Sequence, residues 1–258
     1  MRTAIIDIET PFIPDNGTAM DVDRIFCIGV KVDSEPTKLF THLYHPMASG
    51  NLRTALNLIN SCELAVFHNG IRFDVPIIER LLGPIVPRIH DTLLISKLMY
   101  TRDQLLAMDP GVPSLPSSYY GSYALKAFGH RLGCHKGDFE DFSKLTTEML
   151  IYLEQDVLLT HRLYTHLLKQ HNFPLPHVID LENEFARICF EQELFGFYFD
   201  IDSARTLYTK LMFEKGTIER RLQRTFKPMY LPDGPPKQTK STFKRRLYLP
   251  DPSYDTRW

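Results

Sequence analysis

Four carboxylates stand where carboxylates are costly. Asp7 and Glu9 interrupt the apolar run "TAIIDIET" at residues 3–10. Side chains alternate along a strand, so these two point to the same side. Asp74 closes "FHNGIRFD", just beyond a strand-like stretch and at the start of a helical one. In "YLEQD", Tyr152 and Asp156 are four residues apart and share one helical face. Asp156 is flanked by Leu153, Val157, Leu158 and Leu159, a neighbourhood that a structural carboxylate normally avoids. If these acids converge, their repulsion forces protonation unless divalent cations neutralise them. Oxygen ligands without thiolate or a His pair point to Mg²⁺ or Mn²⁺. Two such ions, roughly 3.5–4 Å apart, form the usual clamp for phosphodiester cleavage, with Tyr152 placed to hold an attacking water in line. Each motif alone is a weak signal. His68 and Asn69 suit strand-end hydrogen bonding, Asp91 suits a helix N-cap, and Phe67 and Phe73 suit a core.

The elements that must position these groups can be read from periodicity and breakers. "TAIIDIET", "RIFCIGVKV", "TKLFTHLY" and "ELAVFHN" read as strands, and "IHD" as a short one. "LRTALNLINS", "DVPIIERLLG" and "TLLISKLMY" have helical spacing, the last capped by Asp91. Residues 101–121, rich in Pro, Ser and Gly, read as a long loop whose Tyr119 and Tyr120 could stack on single-stranded nucleic acid. "SYALKAFGHRLG" follows as a helix with Ser122 as its cap, then "TTEMLIYLEQDVLLTHRLYTHLLKQ" as a long one. This order predicts an α/β fold: a mixed central sheet flanked by helices over 1–172. Residues 173–226 form a helical extension, with Gly196 stopping its first helix and "FYFDID" extended. Residues 227–258 form a basic, Pro-rich extended tail.

Composition narrows the class. The 258 residues are 43% apolar and 24% charged, ordinary for a globular protein with a sizeable core. No apolar run approaches the roughly 18 residues of a membrane span, and acids break the N-terminal apolar stretch too early for a signal peptide. Four scattered cysteines favour free thiols and a cytoplasmic protein. The net charge of −1 argues against coating nucleic acid by charge alone, but from residue 210 onward twelve basic residues face five acidic ones.

The motifs D-x-E at 7–9, N-x-x-x-F-D at 69–74 and Y-x-x-x-D at 152–156 resemble those of the DEDDy 3′–5′ exonucleases. The intervening sequence is more specific. "VFHNGIRFDVP", "HDTLLISKL", "GSYALKAFGHRLG" followed by "KGDF", and "YLEQDVLLT" resemble the proofreading domain of phage-type family A replicative DNA polymerases. "LENEFARICFEQELFGFYFDIDSARTLYTKL" is similar to the segment leading from that exonuclease into the polymerase thumb. The resemblance implies an RNase H-like fold and stepwise removal of 5′-monophosphates from DNA 3′ ends. It implies that Asp7, Glu9 and Asp156 ligate a first Mg²⁺, that Asp7 bridges to a second, and that Asp74 acts largely through water. Mn²⁺ would substitute. Tyr152 and Glu9 would orient the nucleophile, while Thr10 and Asn69 would lie against the substrate strand.

The partners implied are single-stranded 3′ ends, primer-template DNA and a family A polymerase part. These 258 residues hold no palm carboxylates, so polymerisation would need several hundred further residues, joined or separate. If the gene is phage-borne, the place of work is the host cytoplasm. Two alternatives share parts of the pattern: a non-catalytic module that binds DNA or braces a polymerase, and an RNA-trimming ribonuclease D-like enzyme. The intact carboxylate set disfavours the first. The post-exonuclease segment disfavours the second.

Overall fold

A computed structural model describes residues 2–13, 17–134, 137 and 139–226. The expected tail at 227–258 lies outside these residues, as do Lys136 and Asp138 of "KGDF". The chain divides into two units, Met1–Gly196 and Phe197–Trp258.

The first unit is built on six strands: β1 (Thr3–Glu9), β2 (Cys27–Val32), β3 (Lys38–Thr41), β4 (Gly50–Asn51), β5 (Leu64–Phe67) and β6 (Arg88–Asp91). Their spatial order is β4-β3-β2-β1-β5-β6. β1, β2 and β3 form an antiparallel meander, and β5 and β6 extend it in parallel with β1. The parallel strands are joined through helices α1 (Leu52–Asn60) and α2 (Asp74–Leu81), and α3 (Thr92–Met99) follows β6. β5 is buried along its whole length, which is why "LAVF" reads as a continuous apolar run. This is the expected RNase H-like α/β arrangement.

Alternation along β1 sorts its side chains between two cores. Ala4, Ile6 and Ile8 enter the core with Ile77 and Ile78 of α2. Ile5 enters the other, with Leu153 and Val157 of the long helix α6 (Thr147–Leu168). Asp7 and Glu9 continue the row of Ile5 and so face α6. Gly29 of β2, paired with Asp7, sets how close α6 comes. A Cβ at Gly29 would lie 2.7 Å from Val157 Cγ2 and 3.1 Å from Leu153 Cγ.

Two boundaries differ from the sequence reading. The compact unit runs past residue 172 to Gly196, because α7 (Pro176–Phe195) closes the open edge of the sheet. Arg88 on β6 donates to Asp180 and to the Pro176 carbonyl, and Asn183 Nδ2 donates to the Ile89 carbonyl at 2.7 Å. Segment 101–121 is not a bare loop. Thr101 and Gln104 form a capping box for α4 (Arg102–Met108), and short 3₁₀ turns follow at Asp109–Gly111 and Ser117–Tyr119. Asp109, fully buried, accepts from Arg131 Nε (2.8 Å), Arg131 Nη2 (2.9 Å) and the Gly121 N–H (2.7 Å). Arg131 ends α5 (Leu125–Arg131), whose N-cap is Ala124; Ser122 accepts the Ala124 N–H instead of capping the helix.

In the second unit, α8 (Ile201–Thr225) is capped by Asp200, which accepts the Ser203 N–H, and buries none of its residues. No helix among the described residues is long and apolar enough to cross a membrane.

Candidate active site

Asp7, Glu9 and Asp156 meet where β1 ends under α6. One carboxylate oxygen from each lies within 4.8 Å of the others, and Glu9 and Asp156 are buried. The position follows from local structure: two strand residues of equal parity face a helix that Gly29 admits closely, and Asp156 lies on the inner side of that helix. The field there is negative. Burial pushes up the thiol of Cys27, paired with Glu9, and the charges of Glu9 and Asp7 push it further. A cluster of hard oxygen donors with no thiolate or imidazole among them fits Mg²⁺ or Mn²⁺.

Asp74 stands beside this triangle and is not a corner of it. It is buried at the first position of α2. Burial raises its carboxyl to about 7; Asp91 and Asp156 add to the rise, while its own N–H and that of Ile8 oppose it. Asp91 helps to set its place. It caps α3 by accepting the Leu93 N–H (2.9 Å), as expected, and also accepts from the Asn69 (2.9 Å) and Ile71 (3.1 Å) N–H groups. The turn leading into Asp74 is thereby pinned to the end of β6. Within that turn Asn69 adopts φ 62, a left-handed conformation that Asn tolerates better than most residues, and its side chain is exposed. Thr10 is buried, and its hydroxyl donates to the Pro11 carbonyl.

Tyr152 lies one turn from Asp156 within a group of aromatic rings. Its centroid is 5.6 Å from that of Phe139 and 6.4 Å from that of Phe142. Phe139 and Phe142 meet edge-on at 5.0 Å, and Phe12 meets Phe142 at 5.2 Å. Phe12 is largely exposed, three residues beyond Glu9. Sequence reasoning missed this group. Its signals were the spacing of Phe139 and Phe142 in "DFEDF" and an aromatic following the first motif. Phe67 and Phe73 do pack with the core, Phe67 completely buried. Tyr119 is half-buried, with Lys126 Nζ 5.9 Å from its ring centroid.

Fold and site together define an RNase H-like α/β domain with an acidic cluster of carboxylate oxygens beside an aromatic group. No protein-family profile matches the chain. In sequence it is 31% identical over 241 residues to the DNA-directed DNA polymerase of Enterobacteria phage T3, covering 75% of this chain and 34% of that polymerase. It is 31% identical over 270 residues to the DNA-directed DNA polymerase of Escherichia phage T7, covering 86% and 38%. The chain is therefore homologous to phage DNA polymerases, and it spans about a third of the length of these relatives. Among solved structures, Brucella melitensis NrnC with bound Mg²⁺ aligns at a TM-score of 0.45 and 19% identity, covering 74% of this chain and 80% of that one. A family B DNA polymerase from Pyrobaculum calidifontis aligns at 0.38 and 15%, covering 65% and 24%.

Proposed function

We propose that the chain is a metal-dependent 3′–5′ exonuclease acting on DNA, the proofreading part of a phage family A polymerase at work in the host cytoplasm. The observation that carries this reading is the triangle of Asp7, Glu9 and Asp156 within 4.8 Å. Homology to phage DNA polymerases supports it.

In this reading Asp7, Glu9 and Asp156 hold one Mg²⁺, and Asp7 with Asp74 serves a second. Such ions, when bound, lower the pKa of water and stabilise charge on a leaving oxygen. The protein's own groups supply position. Tyr152 and Glu9 orient the water whose oxygen adds to the terminal phosphorus as the bond from phosphorus to the 3′ oxygen breaks. One proton leaves that water and one is taken up by the 3′ oxygen. The products are a nucleoside 5′-monophosphate and a strand shortened by one, ending in a 3′-hydroxyl. Phe12 and Phe142 offer ring faces and edges to the last bases, a sequence-tolerant way to hold a frayed single-stranded end. Thr10 and Asn69 flank the terminal nucleotide.

The test uses 5′-labelled single-stranded DNA and RNA of matched sequence, incubated with the full chain in Mg²⁺, Mn²⁺ or EDTA. The expected result is a ladder shortening from the 3′ end of DNA, present with either metal and absent in EDTA. A ladder on RNA alone would reassign the substrate. Absence of any metal-dependent ladder would leave a non-catalytic DNA-binding module.

A further inference from the structure

The end of the sheet that carries the acidic triangle also carries a loop for which the proposed reaction has no role. Glu9, Cys27 and Thr41 are in register across β1, β2 and β3. The segment after Thr41 therefore leaves the sheet at the same end as the triangle, two strand spacings or about 10 Å to one side. This loop is tied down. The Phe26 N–H donates to the Glu9 carbonyl (2.8 Å), the His42 N–H to the Phe26 carbonyl (3.0 Å), and the Ser49 N–H to the Leu39 carbonyl (2.7 Å). His45 Nε2 lies 3.3 Å from the hydroxyl of Thr147, the first residue of α6. The loop frames an open cavity of about 340 Å³ that includes His42, Tyr44, His45, Ser49 and Asn51. On it Tyr44 is 93% exposed and Leu43 63%.

A fixed loop holding an aromatic ring and a leucine in water, next to imidazole, hydroxyl and amide groups, has the chemistry of a base platform with phosphate contacts. We propose that residues 42–49 form a second contact for the DNA strand, with Tyr44 stacking on a base 5′ of the terminal nucleotide. A strand needs about two or three nucleotides to cross roughly 10 Å, so the contact falls beyond the nucleotide being removed. The inference rests on the exonuclease reading for its choice of strand, and on the continuity of the loop with the site for its position.

The test is binding of 5′-fluorescein oligothymidylates of two, four, six and eight nucleotides to the full chain in Ca²⁺, read by anisotropy. Digestion of the same oligonucleotides in Mg²⁺ is followed beside it. Tyr44→Ala should weaken binding of the six- and eight-mers roughly tenfold and raise their KM. Dinucleotide binding and kcat should not change, and Tyr44→Trp should restore long-strand affinity. Equal affinity of wild type and Tyr44→Ala at every length would overturn the inference and leave the loop as a surface for a protein partner. Length-dependent loss in Tyr44→Ala without any digestion by wild type would overturn the exonuclease reading while keeping the strand contact. Failure of wild type to bind any oligonucleotide would overturn both.

Discussion

Asp109 is buried, and so are Glu9 and Asp156 at the end of β1, yet the protein treats them in opposite ways. Burial pushes the Asp109 carboxyl up, but hydrogen bonds from Arg131, the Gly121 N–H and the Arg131 charge outweigh it and hold the group below the usual carboxylate range. That pair is nearly sealed, with its side chains 0% and 9% exposed. It fastens segment 101–121 to α5. At the other centre, carboxylates face carboxylates, and burial, with Asp91 and Asp156 adding to it, drives Asp74 up to about 7. Asp109 folds together with its cation, whereas in the proposed reading the acids on β1 and α6 take theirs from solution. The difference separates two uses of the same residue type within one fold.

The largest effect that could break this contrast is on activity. Asp7→Ala or Asp156→Ala should reduce metal-dependent DNA digestion on the order of 10³-fold and leave metal-free stability unchanged or raised, because repulsion is relieved. A large fall in stability would make these acids structural. Next comes Arg131→Met, which strands the Asp109 charge and should cost about 3–5 kcal/mol in urea unfolding. Asp109→Leu combined with Arg131→Met should recover most of that loss, and failure to recover would remove the ion pair as the cause. Gly29→Ala should displace α6 against β1 and cut kcat by about 10- to 100-fold, with a stability loss of about 1–3 kcal/mol. Adding Val157→Ala should return part of the rate, since Val157 is the side chain that the new methyl meets first.

The smallest effect is in pH dependence. In metal-free protein the folded-state pKa of Asp74 is raised from 3.8 to about 7. The folded chain then binds this proton more tightly than the unfolded chain. The stability it contributes is fully present below about pH 4 and is lost as pH rises through 7. Asp109 has the opposite sign: its contribution is present above the usual carboxylate range and is lost as pH falls through its lowered pKa. Asp74→Asn should flatten the first slope between pH 4 and 8 and leave the acid-side slope of Asp109. Urea titrations at each pH would show it, and an unchanged profile would place Asp74 in an ordinary polar environment.

Legibility in the sequence followed the range of the interactions. Parity along "TAIIDIET" and the four-residue step from Tyr152 to Asp156 are local periodicities, and they correctly put these side chains on inward-facing sides. Gly196 as a helix stop and Asp91 as a cap were equally local. What escaped depended on partners far along the chain. The helix at Arg102–Met108 is held by Asp109 against Arg131, so a stretch rich in Pro and Ser looked like loop. Asp91 also bonds the Asn69 and Ile71 N–H groups, which only the pairing of β5 with β6 brings within reach. The rings of Phe139 and Phe142 meet Tyr152, and Phe12 meets Phe142, through folding alone. The edge-covering role of α7 depends on Asn183 finding the Ile89 carbonyl, and no periodicity announces that.

The central claim is that Asp7, Glu9 and Asp156 form one centre that takes its cation from solution. Calorimetric titration of Mn²⁺ into the metal-free chain, beside Asp156→Asn and Arg131→Met, tests it most directly. The account predicts saturable binding to wild type that Asp156→Asn abolishes and a still-folded Arg131→Met keeps. Equal Mn²⁺ binding by wild type and Asp156→Asn, or none by either, would contradict it.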